Sequence, residues 1–400
     1  MDRGWAAFAV LRDRNAGLYL GGVVVSGFGT TALWLVAGIW VKELTGSNSL
    51  AALTTFAMWA PVLVAPLLGT VADRVRRRPL LVATNLASAA VLVPLLAVDS
   101  ADLVWLLLVA LVLYGLCAQV HDAAETALVA TVVDGRLLGD FNGLRLTAKE
   151  GTKMLAPLVG AGLFARFGAA PVVLVDIASF LLAAWVCVLL RVREPRPVRA
   201  AGGGLRRDAV EGVRQIRRSA AMRPLVLAGG VTMFLAGVNG ALVFAVVDAV
   251  LDRSPAFVGV LYAAQGLGSV LVGLVTGPLL RRLSARRFAA AGIALFALAA
   301  AARALPYDAL ALVGSVGVGF GLPCVLIAAM TTVQQHAPAE ALGRTAATAS
   351  TVMYAPNAVA LALGAGLVAV VDVRVTLAVL GAAGVATALV LLRRQRSDVP

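Results

Sequence analysis

Apolar runs of about 20 residues recur along the whole chain, each ended by a charge cluster or by Gly and Pro. That length is what an α-helix needs to cross the hydrocarbon core of a bilayer. Twelve spans are predicted, at 17–41, 49–72, 79–98, 103–130, 141–166, 171–191, 224–250, 256–280, 287–305, 308–333, 344–370 and 373–392. The turns after the odd-numbered spans are short, whereas 191–223 is the longest stretch between spans. It opens with Pro195, Pro197 and the run Gly202-Gly203-Gly204, then sets Val210, Val213 and Ile216 among arginines. This pattern predicts a basic amphipathic helix on an anionic inner leaflet. The expected organisation is all-α integral membrane, with twelve transmembrane helices in two pseudo-symmetric six-helix bundles. The bundles cover 1–191 and 224–400, joined by a cytoplasmic linker over 192–223.

Composition agrees with lipid as the solvent. The chain has 60% hydrophobic and 14% charged side chains, against about 45–50% and about 25% in soluble proteins. Its mean hydropathy is +0.92. The net charge of +13 would suit nucleic acid, but its placement excludes that reading. Counted along the spans, 26 of the Lys and Arg residues fall on one side and five on the other: Lys42, Arg166, Arg253, Arg303 and Arg374. The positive-inside rule then puts both termini in the cytoplasm. Arg3, Arg12 and Arg14 read as an amphipathic lead-in to span 1, without a signal-peptide cleavage site. Cys117, Cys187 and Cys324 lie in apolar runs, and with only two histidines no metal set or cofactor is expected. Thirty-one arginines against three lysines, in an Ala-rich chain, point to a bacterial source and so to the bacterial cytoplasmic membrane.

An internal repeat supports the two halves. Gly69 to Arg74 after span 2 recurs as Gly277 to Arg282 after span 8, and Arg145 with Ala156-Pro157 recurs as Arg344 with Ala355-Pro356. Gly69, Ala72, Asp73, Arg74, Arg77 and Arg78 read G-x-x-A-D-R-x-x-R-R between spans 2 and 3. This resembles the signature loop of the major facilitator superfamily, and the resemblance extends over the whole chain. It implies two bundles around a central cavity, working by rocking alternating access. Gly69 would allow a close helix approach, and Asp73 would accept from N–H groups at the start of span 11. Arg74, Arg77 and Arg78 would meet acidic groups or lipid phosphates, locking the cytoplasmic side shut. The second copy carries Arg281 in place of the acid, so the lock is expected to be one-sided.

Further phrases resemble the bacterial macrolide, multidrug and siderophore exporters of that superfamily. They are His121, Asp122, Glu125 and Leu128 in span 4, Phe141 to Leu144 after it, and Val175, Asp176, Ser179 and Phe180 in span 6. Two antiporter hallmarks depart from the pattern. Leu111 to Val120 has no arginine, and the Gly-Pro motif of span 5 is reduced to Ala156-Pro157 with Gly160 and Gly162.

An ionisable residue at the centre of a span costs about 2.5–3.5 kcal/mol even on the lenient insertion scale, so each needs a partner or a role. His121, Asp122 and Glu125 share a face of span 4, while Arg145, Lys149, Glu150 and Lys153 lie along span 5. Hairpin geometry puts the two groups at similar depth with balanced charge. They form either a static ion-pair network or a protonatable switch. Asp176 and Asp248 sit near outer ends of spans, where either is a cation-attracting group on the external route or, the commoner case, solvated at the interface. Asp176 is counted with His121, Asp122, Glu125, Arg145, Lys149, Glu150 and Lys153 among the candidates for proton coupling or the intramembrane charge network.

In the family, spans 1, 4, 7 and 10 line the cavity. Those spans and their neighbours offer Trp34, Met233, Phe234, Asn239, Tyr262, Gln265, Tyr354 and Asn357, few polar groups among apolar walls. Such walls suit a small amphipathic or drug-like molecule. The expected function is therefore monomeric, proton-coupled efflux, with an importer or lipid transporter as the rival and a non-transporting receptor as a remote one. No nucleophile–base pair or metal motif argues for an enzyme.

Overall fold

A computed structural model describes residues 12–64, 68, 75–132, 138–190, 205–338 and 342–396, and all the regular structure among them is helical. Helix α1 (Arg14–Thr45) begins where the Asp13 carboxylate accepts from the Ala16 N–H at 2.8 Å. It ends at Gly46, whose φ of 68° returns its N–H to the Lys42 carbonyl. There follow α2 (Asn48–Trp59), prolonged by a 3-10 turn to Val64, and α3 (Arg77–Leu92), prolonged by another to Ala97. The first half closes with α4 (Val104–Val132), α5 (Leu138–Phe167) and α6 (Ala169–Leu189). After α7 (Leu205–Arg218) come α8 (Met222–Ala241), a short turn Val243–Ala245 and a π-helical turn Val246–Val250. The chain continues through α9 (Phe257–Arg282), α10 (Ala285–Ala302), α11 (Asp308–His336), α12 (Leu342–Val370) and α13 (Val373–Arg396).

Ten of these helices are long and apolar enough to cross a membrane. The two other expected spans differ for identifiable reasons. The described part of span 2 stops at Val64 and is a shorter apolar helix. α5 is 30 residues long, but its first sixteen residues carry Arg145, Lys149, Glu150 and Lys153. Pro157, Pro323 and Pro356 lie inside α5, α11 and α12. Spanning helices tolerate this because neighbouring helices and local adjustments satisfy the freed backbone groups. Trp105, Trp185, Leu274, Val313 and Val370 expose most of their apolar surface, as lipid-facing side chains do and soluble surfaces rarely do.

The chain forms two compact units, Met1–Gly46 with Ala57–Ala200, and Ser47–Phe56 with Ala201–Pro400. Helix pairing repeats from one to the other. In the first unit α1 packs on α5 and α6, and α3 on α4 and α6; in the second α8 packs on α12 and α13, and α10 on α11 and α13. Close packing comes from small residues, as expected where lipid gives no hydrophobic drive between helices. A methyl group at Gly319 of α11 would collide with the Gln265 carbonyl of α9, so only glycine permits that approach. The segment Ser47–Phe56 belongs to the second unit, where Ala52 and Phe56 pack with Ala241, Leu361 and Ala365.

The helix expected to lie flat on the leaflet is α7, and its apolar positions divide. Ile216 is drawn into the core of the second unit with Met222 and Leu225, while Val210 and Val213 stay exposed. Packing of α7 against α8 and α12 accounts for the capture of Ile216.

Candidate functional site

The charged face of α4 meets α5 at Glu125. Its side chain is buried, with Arg145 Nη1 at 2.9 Å from Oε1 and Lys149 Nζ at 3.7 Å from Oε2. The two cations are one turn apart on α5, which presents both to one carboxylate. Both remain partly exposed, so the acid alone is fully committed to the protein interior. Tyr19 of α1 lies close to the same carboxylate. His121, one turn before Glu125, is half-buried with Nδ1 3.2 Å from the Thr84 hydroxyl of α3. Asp122 and Lys153 are exposed, and the side chain of Glu150 lies outside the described residues. The geometry is that of one buried acid held by two cations.

Asp176 is a different kind of acid. Interfacial water was expected around it, yet it is 0% exposed, enclosed by α1, α4 and α6. The Ser179 hydroxyl is 3.2 Å from Oδ1, and the Tyr114 hydroxyl is 3.5 Å from Oδ2 and 2.7 Å from Thr30 Oγ1. Gly29 makes the enclosure possible, because a Cβ there would sit 2.5 Å from Oδ1 and 2.7 Å from Ser179 Oγ. Among the described residues no cation pairs with it. A buried carboxylate without a cation costs several kcal/mol, a cost that a bound proton or an arriving cation removes. Asp248 is exposed and accepts from Asn48 Nδ2 at 2.9 Å.

In the second unit the decisive residue is one that span counting put at the outer end of span 9. Arg303 caps the C-terminus of α10 and is 2% exposed. Its Nη1 donates to Asn239 Oδ1 of α8 at 3.2 Å, and Tyr262 of α9 stands near enough to interact with its charge. The residue lies in the last turn of span 9, and its position at a helix end made it read as an outer-surface cation. Close packing of α10 on α11 overrides that reading: the Arg303 stem lies against Gly314. An arginine inside the last turn of an apolar run was the available signal.

Of the expected cavity residues, Trp34 belongs to the first unit and the other seven to the second. Met233, Asn239 and Asn357 are buried, while Trp34, Phe234, Tyr262, Gln265 and Tyr354 are half-buried. Asn239 and Tyr262 are brought together around Arg303. Asn357 of α12 lies against Gly237 of α8. In the signature loop, Gly69, Asp73 and Arg74 lie outside the described residues. Arg78 donates through Nε to the Cys187 carbonyl at 2.9 Å and through Nη2 to that of Val188. It thereby places a cation at the carbonyl end of α6, where the helix dipole favours one. A groove of about 470 Å³ beside it is lined by Arg76, Arg78, Val82, Leu86 and Val188. Away from the spanning segments, Arg253 and Asp308 form an exposed ion pair that raises the guanidinium pKa above its ordinary value.

Paired helical units with buried charges describe many membrane proteins, and comparison narrows the choice. The family model of the Major Facilitator Superfamily matches residues 19–247 and 225–400, which together run through both units. The chain belongs to the major facilitator superfamily. This facilitator is a multi-pass integral membrane protein and a secondary transporter of small molecules, not an enzyme. The all-α membrane fold read from its apolar runs is the fold of the superfamily.

Among solved structures, a mutant of the peptide transporter POT aligns with a TM-score of 0.75 at 16% identity, over 99% of this chain and 98% of that one. A mutant of the nucleoside transporter NupG aligns with a TM-score of 0.75 at 12% identity, over 94% and 99%. A bacterial homologue of the iron transporter ferroportin in an inward-facing state aligns with a TM-score of 0.74 at 16% identity, over 95% and 98%. At such identities the likeness is one of fold alone. A comparison with the curated proteins found no match.

Proposed function

We propose that this facilitator exports a small amphipathic or drug-like molecule, such as an antibiotic, secondary metabolite or siderophore, across the bacterial cytoplasmic membrane. Export is driven by proton entry through alternating access, with both termini in the cytoplasm. Asp176 is the observation that carries the coupling: a wholly enclosed acid with hydroxyl partners and no paired cation among the described residues. A proton taken from the outer side makes the enclosed acid neutral, and its release to the inner side completes a cycle. The Glu125 cluster plays the other part, since two cations already compensate its charge. It holds α4 to α5 as a fixed strut. Efflux as the direction rests on the resemblance of the span 4 and span 6 phrases to the exporter subgroup, the second of which contains Asp176 and Ser179. Arg76 and Arg78, with the apolar wall beside them, suit contact with anionic lipid.

Everted membrane vesicles with a fluorescent amphiphile added to the outside test the reading. An imposed pH gradient, acidic inside, is expected to drive dye into vesicles carrying the protein. Asp176→Asn is expected to abolish the gradient dependence, while Glu125→Gln keeps it in whatever protein folds. Dye movement in the opposite sense would establish import instead, and full gradient dependence in Asp176→Asn would remove the assignment of the proton to that acid.

A further inference from the structure

Arg303 has a feature that a merely structural cation lacks. Of its three nitrogens, Nη1 is spent on Asn239, while Nε and Nη2 are buried with no hydrogen-bond partner. Those two form the side-on edge of the guanidinium, the edge whose parallel N–H groups match the two oxygens of a carboxylate or phosphate. No Asp or Glu among the described residues pairs with it. A buried guanidinium left this way is costly, and a chain selected only for stability would fill the position with an apolar residue of similar size. The surroundings are small and polar. Gly314 of α11 leaves room for the arginine stem, and the next residue, Ser315, has a buried hydroxyl that is also without a partner.

We propose that the Nε–Nη2 edge of Arg303 is an anion site, taking the carboxylate or a comparable two-oxygen anionic group of the transported solute. Asn239 steers the guanidinium by occupying Nη1, which leaves the paired edge without a partner of its own. Tyr262 of α9 is near enough to interact with the same charge. The solute is then an amphipathic acid. This deepens the transport reading and rests on the second unit carrying part of the solute path.

Thermal unfolding of the purified full-length protein in detergent, with no gradient, tests the site without testing direction. The probes are benzoate and its neutral isostere benzamide, the latter with sodium chloride at matched ionic strength. Wild type is expected to melt roughly 2 °C or more higher in benzoate than in benzamide, because a ligand bound only by the folded state raises Tm. Arg303→Met is expected to lose that difference while melting no lower than wild type in chloride. Arg303→Lys, which keeps the charge without the fork, is expected to show less than half of it. Equal melting of wild type in the two probes overturns the proposal, as does a full benzoate response in Arg303→Met. Failure of both variants to fold also overturns it, since the arginine would then be a structural strut. Import in the vesicle assay would leave the anion result standing, so the two readings fail separately.

Discussion

Glu125 and Asp176 are both buried acids of the first unit, and their neighbours set them apart. Glu125 is compensated by Arg145 at 2.9 Å and Lys149 at 3.7 Å. Arg145→Ala is expected to destabilise by about 1–3 kcal/mol, because it strips the closer hydrogen-bonded cation from a buried acid. Lys149→Ala, at the longer distance and more exposed, is expected to cost less than about 1 kcal/mol. Melting of the purified variants, compared side by side, gives the order. Asp176 has no such partner, so Asp176→Asn, an isosteric neutral group, is expected to leave Tm within about 1 °C of wild type or above it. A fall of many degrees would mean that the charge is compensated after all. At this scale the sequence named both acids and set Glu125 at the depth of Arg145 and Lys149. It misplaced Asp176 in interfacial water, because local spacing cannot say whether other helices close over a side chain.

The helices explain why these side chains stay where they are. Gly29 is where α1 admits the Asp176 carboxyl, and Gly319 is where α11 touches the backbone of α9. A methyl at Gly319 would strike the Gln265 carbonyl, which cannot move without its helix. Gly319→Ala is therefore expected to cost about 1–3 kcal/mol, the usual range for overpacking, read as a lower Tm. Gly273→Ala, on α9 with open space around it, is the control and is expected to change little. Most helices were legible from apolar runs because length and apolarity together decide whether a helix can span. The fate of α7 was not legible. Its arginines predicted a leaflet-bound helix, yet Ile216 is taken up by the second unit, a choice made by the surface that α8 and α12 offer.

For the whole molecule, the internal repeat seen in the sequence reappears as a repeat of helix pairing, with α1 on α5 and α6 mirrored by α8 on α12 and α13. The asymmetry in arginine placement predicts the orientation. A phosphatase fused after Asp252 is expected to be active in the periplasm, and one fused after Arg396 to be inactive. Activity of the second would reverse the inside and outside of every span.

What the sequence determined by itself was the solvent, the all-helical class, the twofold repeat and the superfamily, while of its twelve expected spans ten are helices long and apolar enough to cross among the described residues. Each of these depends on composition or on order along the chain, which needs no contact to be read. Tertiary structure decided which charges are compensated. Arg303 counted as an outer-surface cation until α10 packed on α11 and enclosed it, and Asp176 counted as a wetted acid until α1 and α4 closed over it. Burial of a charge is a property of its three-dimensional neighbours, and in this protein those neighbours come from other helices, as near in the chain as Gly314 to Arg303 and as far as Gly29 to Asp176.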